Sequence, residues 1–153
     1  MSENNNEKED IKVTVSGQYI KDLSFENPQS PRVYTDRNFS PEIKVLVDIN
    51  VKNLQETLFE ISMNITADAI AKEKKVFILE LVYAGIFNIQ NIKDEEELKE
   101  VSFIYCPSLL FPFARQIISN ITQGASFPPL LLDTINFRGL YESKKDAIIK
   151  YEK

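Results

Sequence analysis

Histidine is missing altogether from this chain of 153 residues. Its absence removes the commonest general base and metal ligand near neutral pH, and no other set of residues at metal-ligand spacing replaces it. Glycine is scarce. The four are Gly17, Gly85, Gly124 and Gly139, and no two lie close enough to build a phosphate-cradling loop. ATP-driven chemistry is therefore not expected. The single cysteine, Cys106, excludes an internal disulfide and agrees with a reducing compartment. With no histidine to activate it, a buried structural thiol is the expectation, not a nucleophile. No run approaches the roughly 18–20 apolar residues of a membrane-crossing helix. The N-terminal Met-Ser-Glu-Asn-Asn-Asn-Glu-Lys-Glu-Asp lacks the basic start and apolar run of a signal peptide, so the expected place is the cytosol. The net charge is −5 and no Lys/Arg stripe appears, which argues against a nucleic-acid partner. An acidic surface suits a basic protein partner or plain solubility.

What is present reads as one domain, residues 11–153, behind a disordered acidic tail, residues 1–10. Ile11, Val13 and Val15 alternate with polar residues, the signature of a half-buried strand. After Gly17, a candidate bulge, the pattern puts Tyr19, Leu23 and Phe25 on one side, with Lys21 among them. Asp22, Ser24 and Glu26 fall on the other. A second strand spans 43–49, with a turn expected near Asn53. The longest alternation covers 56–69, with Phe59, Ile61, Met63, Ile65 and Ala67 facing one way. Ala71-Lys72-Glu73-Lys74 makes a charged turn into a fourth strand, 76–89. There Phe77, Leu79, Leu81 and Tyr83 share one face, and Ile78 and Glu80 share the other. Four successive strands on short links predict an antiparallel sheet with one buried face.

The second half is helical. Asp94-Glu95-Glu96-Glu97 places negative charge where a helix N-terminus favours it. Leu98, Val101, Ile104 and Tyr105 follow at helical spacing, and Leu110, Ala114, Ile117, Ile118 and Ile121 continue the stripe. Pro107 is expected to break or restart the helix, Pro112 to kink it or sit in its first turn, and Gly124 to cap it. Asn136 can cap a second helix, 137 to about 151. Between the helices runs Phe127-Pro128-Pro129-Leu130-Leu131-Leu132, a connector too apolar for an ordinary loop. It either caps the core or lines a groove. Consecutive leucines cannot all face inward in an extended segment, which points to a groove. The fold class is α+β: a four-stranded antiparallel sheet with two helices packed on one face.

Lys21-Asp22-Leu23-Ser24-Phe25-Glu26-Asn27-Pro28, Gly85-Ile86-Phe87, Tyr105-Cys106-Pro107 through Leu110-Phe111-Pro112-Phe113-Ala114-Arg115, and Phe127-Pro128-Pro129 ahead of Ile135-Asn136-Phe137 occur in this order. Together they resemble the SecB family of bacterial protein-export chaperones, over about residues 19–141. The resemblance implies a homotetramer, a dimer of dimers with the long helices between the sheets. It implies ATP-independent binding of unfolded precursor proteins and their delivery to the motor SecA, with no cofactor. Many relatives carry a longer polar C-terminal tail than Tyr151-Glu152-Lys153, so a secondary motor contact is expected to be weaker here.

The resemblance assigns Asp22, Glu26 and Glu80, with Ile78 among them, to an acidic patch that receives the motor's basic zinc-binding tail. The candidate client groove is Phe39, Phe127, Leu130, Leu131 and Leu132, with Ile135 beside them. Phe77, Leu79, Leu81 and Tyr83 are assigned to the core and the subunit interface. Three other readings stand beside this one. The chaperone could serve one dedicated partner such as an antitoxin. A carboxylate-only enzyme would need converging acids, which an open sheet face does not provide. A structural assembly would bury the apolar loop completely.

Overall fold

In a computed structural model, residues 9–36, 38, 40–144 and 151–152 are described. Their framework is a meander of long strands: β1 (Lys12–Glu26), β2 (Glu42–Gln55), β3 (Leu58–Ala71) and β4 (Lys74–Gln90). Their order across the sheet is β1-β4-β3-β2, and every neighbour is antiparallel. A short β5 (Tyr151–Glu152) adds to the far edge, parallel to β2 at Val51 and Lys52. The expected four-stranded sheet is therefore present, with a two-residue fifth strand beside it. The expected second helix does not reach Tyr151, because that residue lies in the strand. It is described as α4, Phe137–Lys144.

Hairpin chemistry sets the register. Lys72 and Glu73 both have positive φ, 50° and 64°, as a two-residue turn needs to match the right-handed twist of its strands. The β2–β3 turn lies at Glu56 (φ 44°), beyond the expected position near Asn53. Asn53 stays in β2, and its Nδ2 donates to the Glu56 carbonyl at 3.1 Å.

Directly paired residues share a face, so the pairings sort the sheet. Phe59, Ile61, Met63, Ile65, Ala67 and Ala69 of β3 are buried against the helices, as are Phe77, Leu79, Leu81, Tyr83 and Phe87 of β4. β1 slips twice, between Val15 and Gly17 and between Ile20 and Asp22. The first slip is the bulge expected at Gly17. The second reverses the expectation for Tyr19. One extra residue flips every side chain beyond it, so Tyr19 pairs with outward-facing Ala84 and reaches Glu60 on the outer face. Leu23 and Phe25 stay inside, opposite Leu81 and Leu79.

The helical half lies on the inner face. Asp94 caps α2 (Glu95–Glu100), accepting from the Glu97 N–H at 2.9 Å, and Glu97 accepts in turn from the Lys93 N–H at 2.7 Å. Pro107 does not break the helix. A π-helical turn, Val101–Tyr105, joins α2 to α3 (Cys106–Gly124), and the Cys106 N–H bonds back to the Val101 carbonyl. The wider turn seats Pro107 near the start of α3, where its missing N–H costs least. Residues 95–124 thus form one run of 30 residues, apolar enough by length and composition alone to cross a membrane. Much of that apolarity is spent on the sheet through Cys106, Leu110, Phe111, Ala114 and Ile118, all buried. Close approach is secured at Gly85, where a Cβ would stand 2.8 Å from the Phe87 ring and 3.0 Å from Leu110. Gly124 ends α3, but the left-handed residue beyond it is Ser126, φ 62°. Asn136 caps α4 as expected, its Oδ1 accepting from the Gly139 N–H at 3.1 Å.

Candidate functional site

The outer face of the β1–β4 ladder gathers three acids. Glu80 lies opposite Ser24 and Glu26 opposite Ile78, while Asp22 lies opposite Val82. Glu80 is therefore flanked diagonally by Asp22 and Glu26, at the roughly 7–8 Å typical of such neighbours. All three carboxylates are exposed, and among the described residues none makes a salt bridge or hydrogen bond. Ile78 and Val82 are half-buried on the same face. This is an apolar floor rimmed by unneutralised negative charge, a surface that attracts a cation-bearing partner. The register places Asp68 beside it, opposite Ile78. Asp68 is already paired with Lys75 at 3.1 Å.

Further along the same face, Tyr19 donates to Glu60 at 2.5 Å and Lys21 pairs with it at 2.6 Å. Burial pushes the Glu60 carboxyl up, but hydrogen bonds from Lys21 and Tyr19 and the nearby lysine charge bring it below its ordinary value. Burial, then the Glu60 carboxylate, raises the Tyr19 phenol to about 12. This cluster ties β1 to β3 across β4 and leaves the acidic trio free.

On the inner face the apolar connector divides. Phe127 is half-buried, with its ring centroid 5.2 Å from Phe77 and 5.7 Å from Tyr34. Leu130 is half-buried and its N–H donates to Thr122 Oγ1 at 2.9 Å. Leu131 is 59% exposed, whereas Leu132 is 5% exposed and joins the core. Leu132 thus corrects the expectation of three groove leucines: backbone alternation turns one of them inward. Ile135 is half-buried against the core. Phe39 lies outside the described residues.

Phe77, Leu79, Leu81 and Tyr83 are all buried on the inner face of β4. Phe113 of α3 stacks on Tyr83 at 6.3 Å, yet is itself 52% exposed. Ile20, opposite Tyr83 in the ladder, is 48% exposed. Reading from sequence missed Ile20 and Phe113 as a joint surface because the second β1 slip hides that Ile20 points to the helix side. Tyr34, in the short helix α1 (Arg32–Thr35) between β1 and β2, was also missed. Two turns of helix would have been needed to show a periodicity there. Cys106 is buried as expected, and burial pushes its thiol up to about 12. Among the described residues no group of three or more His, Cys, Asp or Glu could hold a metal ion.

The family model for "Preprotein translocase subunit SecB" matches residues 5–147. The chain belongs to the SecB family. Among curated relatives, the protein-export protein SecB of Parvibaculum lavamentivorans is 45% identical over 127 residues, 83% of this chain and 75% of that protein. That of Rickettsia akari is 45% identical over 133 residues, 86% of this chain and 87% of that one. The fold also matches a solved Mycobacterium tuberculosis SecB-like chaperone in complex with an antitoxin peptide. The TM-score is 0.66 at 15% identity, covering 80% of this chain and 90% of that one. As a SecB-family member this chain is a preprotein-export chaperone.

Proposed function

We propose that this SecB-family chaperone works as an ATP-independent holdase with two working faces. Unfolded precursor segments bind on the inner side around Phe127, Leu130 and Leu131, with Phe39 as a further member. Leu132 supports that loop from within. Burial of apolar surface is non-directional, which suits a task in which the bound sequence varies. At roughly 25 cal/mol per Å² one groove binds weakly. Grooves repeated on a homotetramer, a dimer of dimers, let one long chain engage several at once. Ile20 and Phe113, exposed beside buried Tyr83, supply an apolar surface for that assembly. The cytosol is the compartment in which such precursors await export.

Delivery to SecA uses the outer face. The observation that carries this reading is the free acidic trio, Asp22, Glu26 and Glu80, set along Ile78 and Val82 on the side of the sheet away from the helices. A small basic module can dock there while the inner side stays loaded. The test is binding of SecA's zinc-binding tail to wild type and to Asp22→Ala with Glu80→Ala, at low and moderate salt. Wild type binds, salt weakens it, and the double variant loses at least tenfold in affinity. Unchanged binding by a well-folded double variant overturns this docking face.

A further inference from the structure

Residues 27–36, which follow β1, lie against the inner side as a strap, and one side chain ties it down. Val33 packs against the core. Tyr34 next to it is 47% exposed. Its ring lies over Phe127, and its hydroxyl donates to the Ala125 carbonyl. The same hydroxyl accepts from Asn27 Nδ2 at 2.6 Å. Ala125 is the residue just past α3, where the last carbonyls of a helix have no partner within it. The other hydrogen bonds of residues 27–36 are local, such as Val33 N–H to the Gln29 carbonyl at 2.9 Å and Asp36 N–H to the Arg32 carbonyl at 3.1 Å. Among the described residues, the Tyr34 hydroxyl is the one polar tie between this strap and the α3–α4 connector.

Two features mark the tie as reversible. The two hydrogen bonds of the hydroxyl, from Asn27 Nδ2 and to the Ala125 carbonyl, are exposed, so water can replace each when the strap lifts. The closed arrangement also carries a cost: Asn27 Oδ1 is buried without a partner. Phe127 meanwhile stands third in a row of four rings, Phe25, Phe77, Phe127 and Tyr34, with successive centroids 5.6, 5.2 and 5.7 Å apart. Tyr34 is the exposed terminal ring, tilted 35° against Phe127.

We propose that Tyr34 is a latch that holds the 27–36 strap closed over Phe127, and that an unfolded chain enters the groove only from the unlatched state. The proposal rests on the groove reading above. Removing the hydroxyl keeps the ring contact but takes away both its bonds. Of these, the Ala125 bond is the one that joins strap to connector, and its loss weakens the closed state about fivefold in its population ratio. A chain that binds only the open state then gains by about the same factor.

The experiment compares wild type, Tyr34→Phe, Asn27→Ala and Phe127→Ala by stopped-flow binding of reduced, carboxymethylated α-lactalbumin, with thermal unfolding as the folding control. In Tyr34→Phe the association rate rises about fivefold and the dissociation rate is unchanged, because the latch acts before the chain is bound. Asn27→Ala moves the association rate in the same direction by less, since the Ala125 bond remains. Phe127→Ala binds more weakly. If Phe127→Ala weakens binding while Tyr34→Phe and Asn27→Ala associate at the wild-type rate or slower, the latch is wrong and the groove stands. If Phe127→Ala binds like wild type, the groove reading fails and the latch falls with it.

Discussion

Tyr19 and Glu60 show how much one residue of slip decides. The alternation of β1 read on paper puts Tyr19 on the inner face, but the slip between Ile20 and Asp22 sends its hydroxyl to Glu60 outside. A bulge has no composition of its own at this site, so nothing in the string Tyr-Ile-Lys-Asp announces it. The pair has a pH signature of definite sign. The folded chain holds the Tyr19 proton up to about 12 against an ordinary 10.0. Between those values the unfolded chain has lost a proton that the folded chain keeps, so stability falls as pH rises through the window. Glu60 acts at the other end. Its folded value lies below the ordinary one, so its contribution is present above the unfolded value and is lost as pH falls through the folded one. Denaturant midpoints measured across pH 10 to 12 should decline less steeply in Tyr19→Phe than in wild type. Parallel curves for the two proteins would remove the phenol from the account.

The element that matters most is the connector between α3 and α4, and here sequence reading went half way. Its greasiness was legible at once, as were the strands and the capping residue Asn136, since period-two and period-3.6 patterns state faces directly. Periodicity put Asp22, Glu26 and Glu80 on a polar face, and the family resemblance alone singled them out as a patch. Which leucine turns inward was not legible, because a prolyl loop has no period. Leu132 is buried with Phe137 in the core while its neighbour Leu131 stands in solvent. Leu132→Ala is therefore expected to cost about 2–5 kcal/mol in unfolding free energy, and Leu131→Ala within about 0.5 kcal/mol. Urea unfolding followed by circular dichroism measures both. Equal losses would mean that the loop packs differently from what is described here. The helix before it carries a similar lesson: Pro107 reads as a break or a restart, and the structure seats it in the first turn of α3 behind a π-turn, so the helix runs on from 95 to 124.

At the scale of the whole molecule, β1 is a sheet edge, and its inward Ile20, like Phe113, lies open against Tyr83. Unpaired edges and open apolar side chains are what a protein covers with another copy of itself. On the proposed assembly, Ile20→Asp with Phe113→Asp should lower the mass seen by light scattering from that of the proposed tetramer to a dimer or monomer, while circular dichroism keeps its strand signal. A tetramer that survives both charges would place the assembly surface elsewhere. On the two-face reading proposed above, the acids lie on one side of the sheet and the apolar connector on the other, so cargo and carrier need not compete for one surface. The position of Cys106 completes this division in a chemical sense. Precursors held before export carry reduced cysteines, and a thiolate near the groove would exchange with any disulfide that formed among them and trap the cargo covalently. The sole thiol here is sealed under α3 with its proton held to about 12. Burial and the raised proton affinity of this thiol disfavour the thiolate that such an exchange needs.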